Sequence, residues 1–146
     1  MQLLHEEAYR SRIINRIESL RPDTPRRWGK MSADQMLWHV NGGLCMALGQ
    51  IDVAPPKPPV PQRLMRWLAL NLPWPKGVPT LPPFVAKGAY DFNAERSRCL
   101  RLIEQLVSKP LDDDWPTHPS LGRMSGREAS RLQAKHLDHH LRQFGV

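Results

Sequence analysis

Apolar residues recur near the start of the chain at Leu4, Ala8, Ile13, Ile14, Ile17 and Leu20, mostly three or four apart with Glu and Arg between them. That period predicts an amphipathic helix over Leu3–Leu20, closed by Pro22. A second helix is predicted from Ser32, where Ser-Ala-Asp-Gln matches a capping box completed by Gln35, through MLWHVNGGLCMALG to Gly49 or Gln50. Being apolar almost all round, it belongs at the centre of the packing. A third runs from Tyr90 to Lys109, carrying Phe92, Leu100, Ile103, Leu106 and Val107, with Asp91 or Asn93 as cap and Pro110 as stop. The fourth opens at Ser125, where Ser-Gly-Arg-Glu is a second capping box with Glu128, and ends at Phe144 before Gly145. No useful period-two pattern and no internal repeat are present. Four helices of about 15 to 20 residues predict an all-α fold, a four-helix bundle in a single domain over residues 1–146.

Proline divides the chain unevenly. Fifteen of 146 residues are proline, roughly twice the usual ~5%, and ten of them fall between Pro55 and Pro83. The excess therefore belongs to one insertion, about 54–84, in the connection of about 40 residues between the second and third helices. A short helix is expected inside it over Gln62–Leu72. Two readings of the tract stand: a cover packed across the bundle, favoured by Trp67, Trp74, Phe84 and the leucines between them, or a mobile PPII-like excursion into solvent.

Composition narrows the class. An apolar content of 40% with mixed charge excludes disorder throughout. Cys45 and Cys99 are too few for a disulfide scaffold and suit a reducing cytoplasm, where they read as small buried hydrophobes. Near the N-terminus, His5, Glu6 and Glu7 interrupt any apolar run of an export signal, and no stretch approaches the roughly 20 apolar residues of a membrane span, so a cytoplasmic protein without a membrane partner is expected.

The candidate chemistry is histidine. His136 and His140 in AKHLDHHLRQFG are four apart on the last helix, so both imidazoles can converge on one ion. A third ligand should come from a facing helix, and His39 lies within the second helix, one turn before Gly42 and Gly43. Two glycines inside a helix cost roughly 1 kcal/mol each, a cost that close approach of another helix or space kept beside His39 would explain. Three neutral imidazoles suit zinc, nickel, copper or ferrous iron and leave a coordination position open for water or substrate. The opposing reading is that a His pair on a basic helix is solvated surface.

WGKMSADQMLWHV at Trp28–Val40, HPSLG at His118–Gly122 and KHLDHHLRQFG at Lys135–Gly145 resemble the DinB/YfiT-like superfamily, and most of all its DUF1569 branch. The resemblance covers both ends of the core and leaves the proline-rich middle unmatched. It implies a four-helix bundle with a metal held by His39, His136 and His140. Superfamily members of known activity are metal-dependent thiol transferases using low-molecular-weight thiols, and a maleylpyruvate isomerase; the DUF1569 branch has no assigned activity. The expectation is therefore a metal-dependent transferase or hydrolase acting on a small-molecule substrate, with a non-catalytic metal or small-molecule binding protein as the alternative.

Other residues carry two readings each. His139 could replace a ligand, flank the site or face solvent. Gln143, on the histidine face, could orient a ligand or substrate through its amide or simply end the helix. His118 could lean over the bundle mouth or hold its own loop by hydrogen bonds, the latter being preferred. Trp28 and Trp38 read as core and loop anchors. Glu128 and Asp138 lie off the histidine face, so no general base stands out. The net charge of +7, with Arg123, Arg127, Arg131, Lys135 and Arg142 on or near the last helix and Arg21, Arg26, Arg27 and Lys30 before the second, raises nucleic-acid binding as a minor rival, though no groove-reading motif accompanies it. A homodimer would use an apolar outer face on the first helix.

Overall fold

Each periodic, proline-poor stretch forms a helix in the computed structural model, which describes residues 2–57 and 59–146; Pro58 of the proline tract lies outside the described residues. The helices are α1 (Glu7–Ser19), α2 (Ala33–Ala47), α3 (Gln62–Asn71), α4 (Phe92–Ser108) and α5 (Gly126–Gln143), with one 3-10 turn over Pro82–Phe84. No strand occurs among the described residues, and one isolated antiparallel bridge pairs His118 with Gly122.

The caps sit where the sequence puts them. Ser125 Oγ accepts the Glu128 N–H at 3.2 Å and Glu128 Oε2 accepts the Ser125 N–H at 2.9 Å, closing the capping box of α5. At α2 the Ser32 N–H donates to Gln35 Oε1 at 3.1 Å. Asp91, not Asn93, caps α4, accepting the Ala94 N–H at 2.8 Å. The first helix starts one turn later than its apolar period suggests. Leu3 and Leu4 are buried, but they reach the core from a turn closed by the Glu6 N–H on the Leu3 carbonyl, so their burial does not mark helix.

The main core draws Ile13 and Ile17 from α1, Met36, Leu37, Val40 and Leu44 from α2, Leu102, Ile103 and Leu106 from α4, and Leu137 and Leu141 from α5. As its pattern requires, α2 is central, packed against α4, α5 and the 3-10 turn, while α1 lies against α4 and α5. A smaller cluster of Leu70, Leu121, Met124 and Leu132 seats α3 on α5.

The proline-rich connection is thus packed at two places, through α3 and through the 3-10 turn. Phe84 is buried and Trp74 partly so, whereas Trp67, expected to pack, is 53% exposed on the outer side of α3. The end of the connection is tied to the start of α2: Gln35 Nε2 donates to the Gly88 carbonyl and Asp34 accepts the Tyr90 N–H, both at 2.9 Å. Among the described residues, the exposed large hydrophobics are Ile51, Leu64, Trp67, Leu72, Val78 and Val85, all on α3 or the connection. None is on α1, whose buried residues Tyr9, Ile13 and Ile17 face the core. No described helix is long and apolar enough to cross a membrane.

Candidate metal centre

Where α2 meets α5, three imidazoles converge. His39 comes from α2 and His136 and His140 from successive turns of α5, with ring centroids 4.7 to 5.0 Å apart. One ring nitrogen of each lies within 4.8 Å of the others, and the Nε2 atoms of His39 and His136 are 3.0 Å apart. Nitrogens bound tetrahedrally to a single zinc at about 2.05 Å stand about 3.3 Å apart, so the His39–His136 pair is near coordination spacing and His140 is close enough to join it.

Two of the three tautomers follow from what the rings touch. His39 Nδ1 is 2.9 Å from the Phe84 carbonyl, which can only accept, so Nδ1 carries the proton and Nε2 keeps its lone pair. His140 Nδ1 is 2.9 Å from Gln143 Oε1. The Gln143 amide is itself oriented, because its Nε2 donates to the Trp28 carbonyl at 2.9 Å, so its oxygen faces His140 and takes the Nδ1 proton. Burial, aided by neighbouring imidazoles, holds His136 well below its ordinary range and takes His140 down to about 3; burial also lowers His39. All three rings are neutral at physiological pH, the form in which imidazole coordinates a metal. The donors, their spacing and their protonation therefore fit a divalent transition ion.

The glycines of α2 account for the closeness of the approach. A Cβ on Gly43 would lie 2.9 Å from His136 Nδ1, and one on Gly42 would lie 2.5 Å from Cδ1 of Phe84. Gly43 makes room for the imidazole, and Gly42 for the phenyl ring whose own carbonyl holds His39.

The remaining expectations divide. Gln143 holds the His140 ring through its amide. His118 holds its loop: its Nδ1 accepts the Ser120 and Leu121 N–H groups at 3.1 and 3.2 Å, and burial takes its pKa down to about 4. His139 stands outside the triad between Trp28 and Trp74, with ring centroids 6.0 and 5.6 Å away. Trp28 borders the site, while Trp38 stacks on Tyr90 at 4.9 Å. His5, the remaining histidine, joins the chain start to the body of the protein through Ser130 Oγ and the Lys109 carbonyl, both at 2.9 Å. Cys45 and Cys99 are buried, and burial pushes the Cys99 thiol up to about 12, far from a reactive thiolate.

Several charged groups of α5 are engaged with the protein itself. Asp138 binds Arg16 at 2.8 Å and also Arg142; burial pushes its carboxyl up, and these hydrogen bonds outweigh the burial and leave it lowered. Glu128 closes the capping box and pairs with Arg66 at 3.5 Å. Lys135 donates to the carbonyls of Ala69 and Leu72 at the end of α3.

Three participants had no sequence signal of their own as parts of a site: the Phe84 carbonyl, the Trp28 carbonyl and Trp74, whose ring lies 5.8 Å from that of His136. Gly42 pointed to a close neighbour without naming it. Gln133, one turn before His136, is also buried here, and its Oε1 makes no hydrogen bond. Comparison with known protein families, curated proteins and solved structures yields no match.

Proposed function

We propose that this chain is a DinB-like four-helix bundle that binds one divalent transition ion, such as zinc, nickel or iron, through His39, His136 and His140. We further propose that it works as a metal-dependent transferase or hydrolase on a small electrophilic substrate. The observation that carries the reading is the convergence of three neutral imidazoles from α2 and α5 within 4.8 Å of one another. When bound, the ion would supply Lewis acidity, by which water or a low-molecular-weight thiol loses its proton near neutral pH and becomes a nucleophile. The chain's own part is positional. The Phe84 carbonyl and the Gln143 amide fix two rings with their Nε2 lone pairs turned to the centre, and Gly43 lets the third approach. Trp74 and Trp28, flanking His139, form an aromatic border that would exclude water from one side.

One observation favours a second reading, a non-catalytic metal or small-molecule binding protein: Glu128 and Asp138, the carboxylates of α5, are both held by arginines. A screen of metal-loaded protein against pairs of thiol and electrophile, and against hydrolysable esters, separates the two. Turnover that disappears in His136→Ala is expected for the enzyme; absence of turnover across the screen, with metal bound normally, favours the binder.

A further inference from the structure

One ligand lacks the support that the other two have. His39 gives its Nδ1 proton to the Phe84 carbonyl and His140 gives its own to Gln143 Oε1, each bond leaving an Nε2 lone pair for the centre. His136 Nε2 stands 3.0 Å from His39 Nε2, and because that nitrogen of His39 carries no proton, a hydrogen bond between them puts the proton on His136 Nε2. His136 can then coordinate through Nε2 only in its other neutral tautomer, with the proton at Nδ1.

An unused acceptor lies beside Nδ1. Gln133 precedes His136 by one turn of α5, is 3% exposed, and has a buried Oε1 with no hydrogen-bond partner. Both atoms converge above Gly43, where a Cβ would lie 2.9 Å from His136 Nδ1 and 3.5 Å from Gln133 Oε1. A buried amide oxygen left unpaired is costly, and no hydrogen bond joins Gln133 Oε1 to His136 Nδ1 as the ring stands. A proton on Nδ1 would offer that oxygen a donor.

We infer that Gln133 is the positioning residue of His136: its Oε1 accepts the Nδ1 proton when His136 turns its Nε2 lone pair to a divalent ion. The proton lost at Nε2 is replaced by one at Nδ1, so the ring stays neutral and no proton is released on balance. Each ligand then has its own acceptor: a backbone carbonyl for His39, Gln143 for His140 and Gln133 for His136. The inference rests on the metal reading above and extends it to a residue that histidine spacing does not indicate.

The test is zinc titration of the full chain as wild type, Gln133→Met and Gln133→Glu, with nitrogen NMR of the zinc-loaded wild type. Methionine keeps the volume and removes the acceptor; glutamate keeps an oxygen in place. The expected result is zinc binding about tenfold weaker in Gln133→Met and within about twofold of wild type, or tighter, in Gln133→Glu. His136 is expected to be protonated at Nδ1 and bound through Nε2. Equal affinity in wild type and a normally melting Gln133→Met would overturn the inference, as would equal weakening in both variants, which marks a packing role. Zinc bound through Nδ1 of His136 in the wild type would overturn it even if Gln133→Met does not fold. A wild type that binds no zinc overturns the metal reading itself, and this inference with it.

Discussion

Gly43 separates two properties that usually move together. Replacing it with alanine gains helix propensity worth about 1 kcal/mol. The new Cβ, however, would lie 2.9 Å from His136 Nδ1, so the imidazole must shift. Gly43→Ala is therefore expected to keep or raise the thermal midpoint while weakening zinc binding on the order of tenfold, the scale at which misoriented ligands lose metal. Calorimetric titration beside a thermal melt checks both; unchanged affinity would show that His136 is not needed where it stands. At this scale the sequence was partly legible. His136 and His140 could be paired because helical geometry relates residues four apart without any tertiary knowledge. Gln143 could be placed on the same face for the same reason. The Phe84 and Trp28 carbonyls could not be found, because a backbone carbonyl has no residue type to advertise it.

The elements differ in how much of them is local. Helices α2 and α5 begin at capping boxes, and α4 stops before Pro110, because caps and prolines act through adjacent backbone. Ser125→Ala should cost about 1 kcal/mol of stability, read as a lower urea midpoint, since the Glu128 N–H loses its acceptor. The proline tract was ambiguous in the sequence because its seat is tertiary: the ring of Phe84 fills the space that Gly42 leaves on α2. Phe84→Ala opens that space and should cost about 3 kcal/mol, with zinc affinity falling as the carbonyl that holds His39 loosens. Unchanged urea and zinc midpoints would mean that the tract is not seated on α2. Trp67 shows the limit of reading packing from residue type, since it is the largest apolar residue of α3 and faces solvent.

Buried and half-buried histidines give the whole molecule an acid-sensitive fold. The unfolded chain protonates its histidines as pH falls through about 6.5. In the folded chain, burial delays this to about 4 for His118 and about 3 for His140, and lowers His39, His136 and His139 as well. Below 6.5 the unfolded state therefore holds more protons, so stability is fully present above that pH and is lost as pH falls toward 4 and below. Denaturant midpoints are expected to fall steadily between about pH 7 and about pH 4.5, before the lowered carboxyls of Asp34 and Asp138 begin to contribute. A flat profile over that range would contradict neutral burial of these rings.

The same rings, neutral and gathered between two helices, make the central claim directly measurable as bound metal. Elemental analysis of the purified wild-type chain beside His39→Ala and His136→Ala should find about one equivalent of a divalent transition metal in the wild type and a small fraction of that in each variant, with helical circular dichroism retained. Equal metal content in all three proteins would contradict the assignment of His39, His136 and His140 as the metal site.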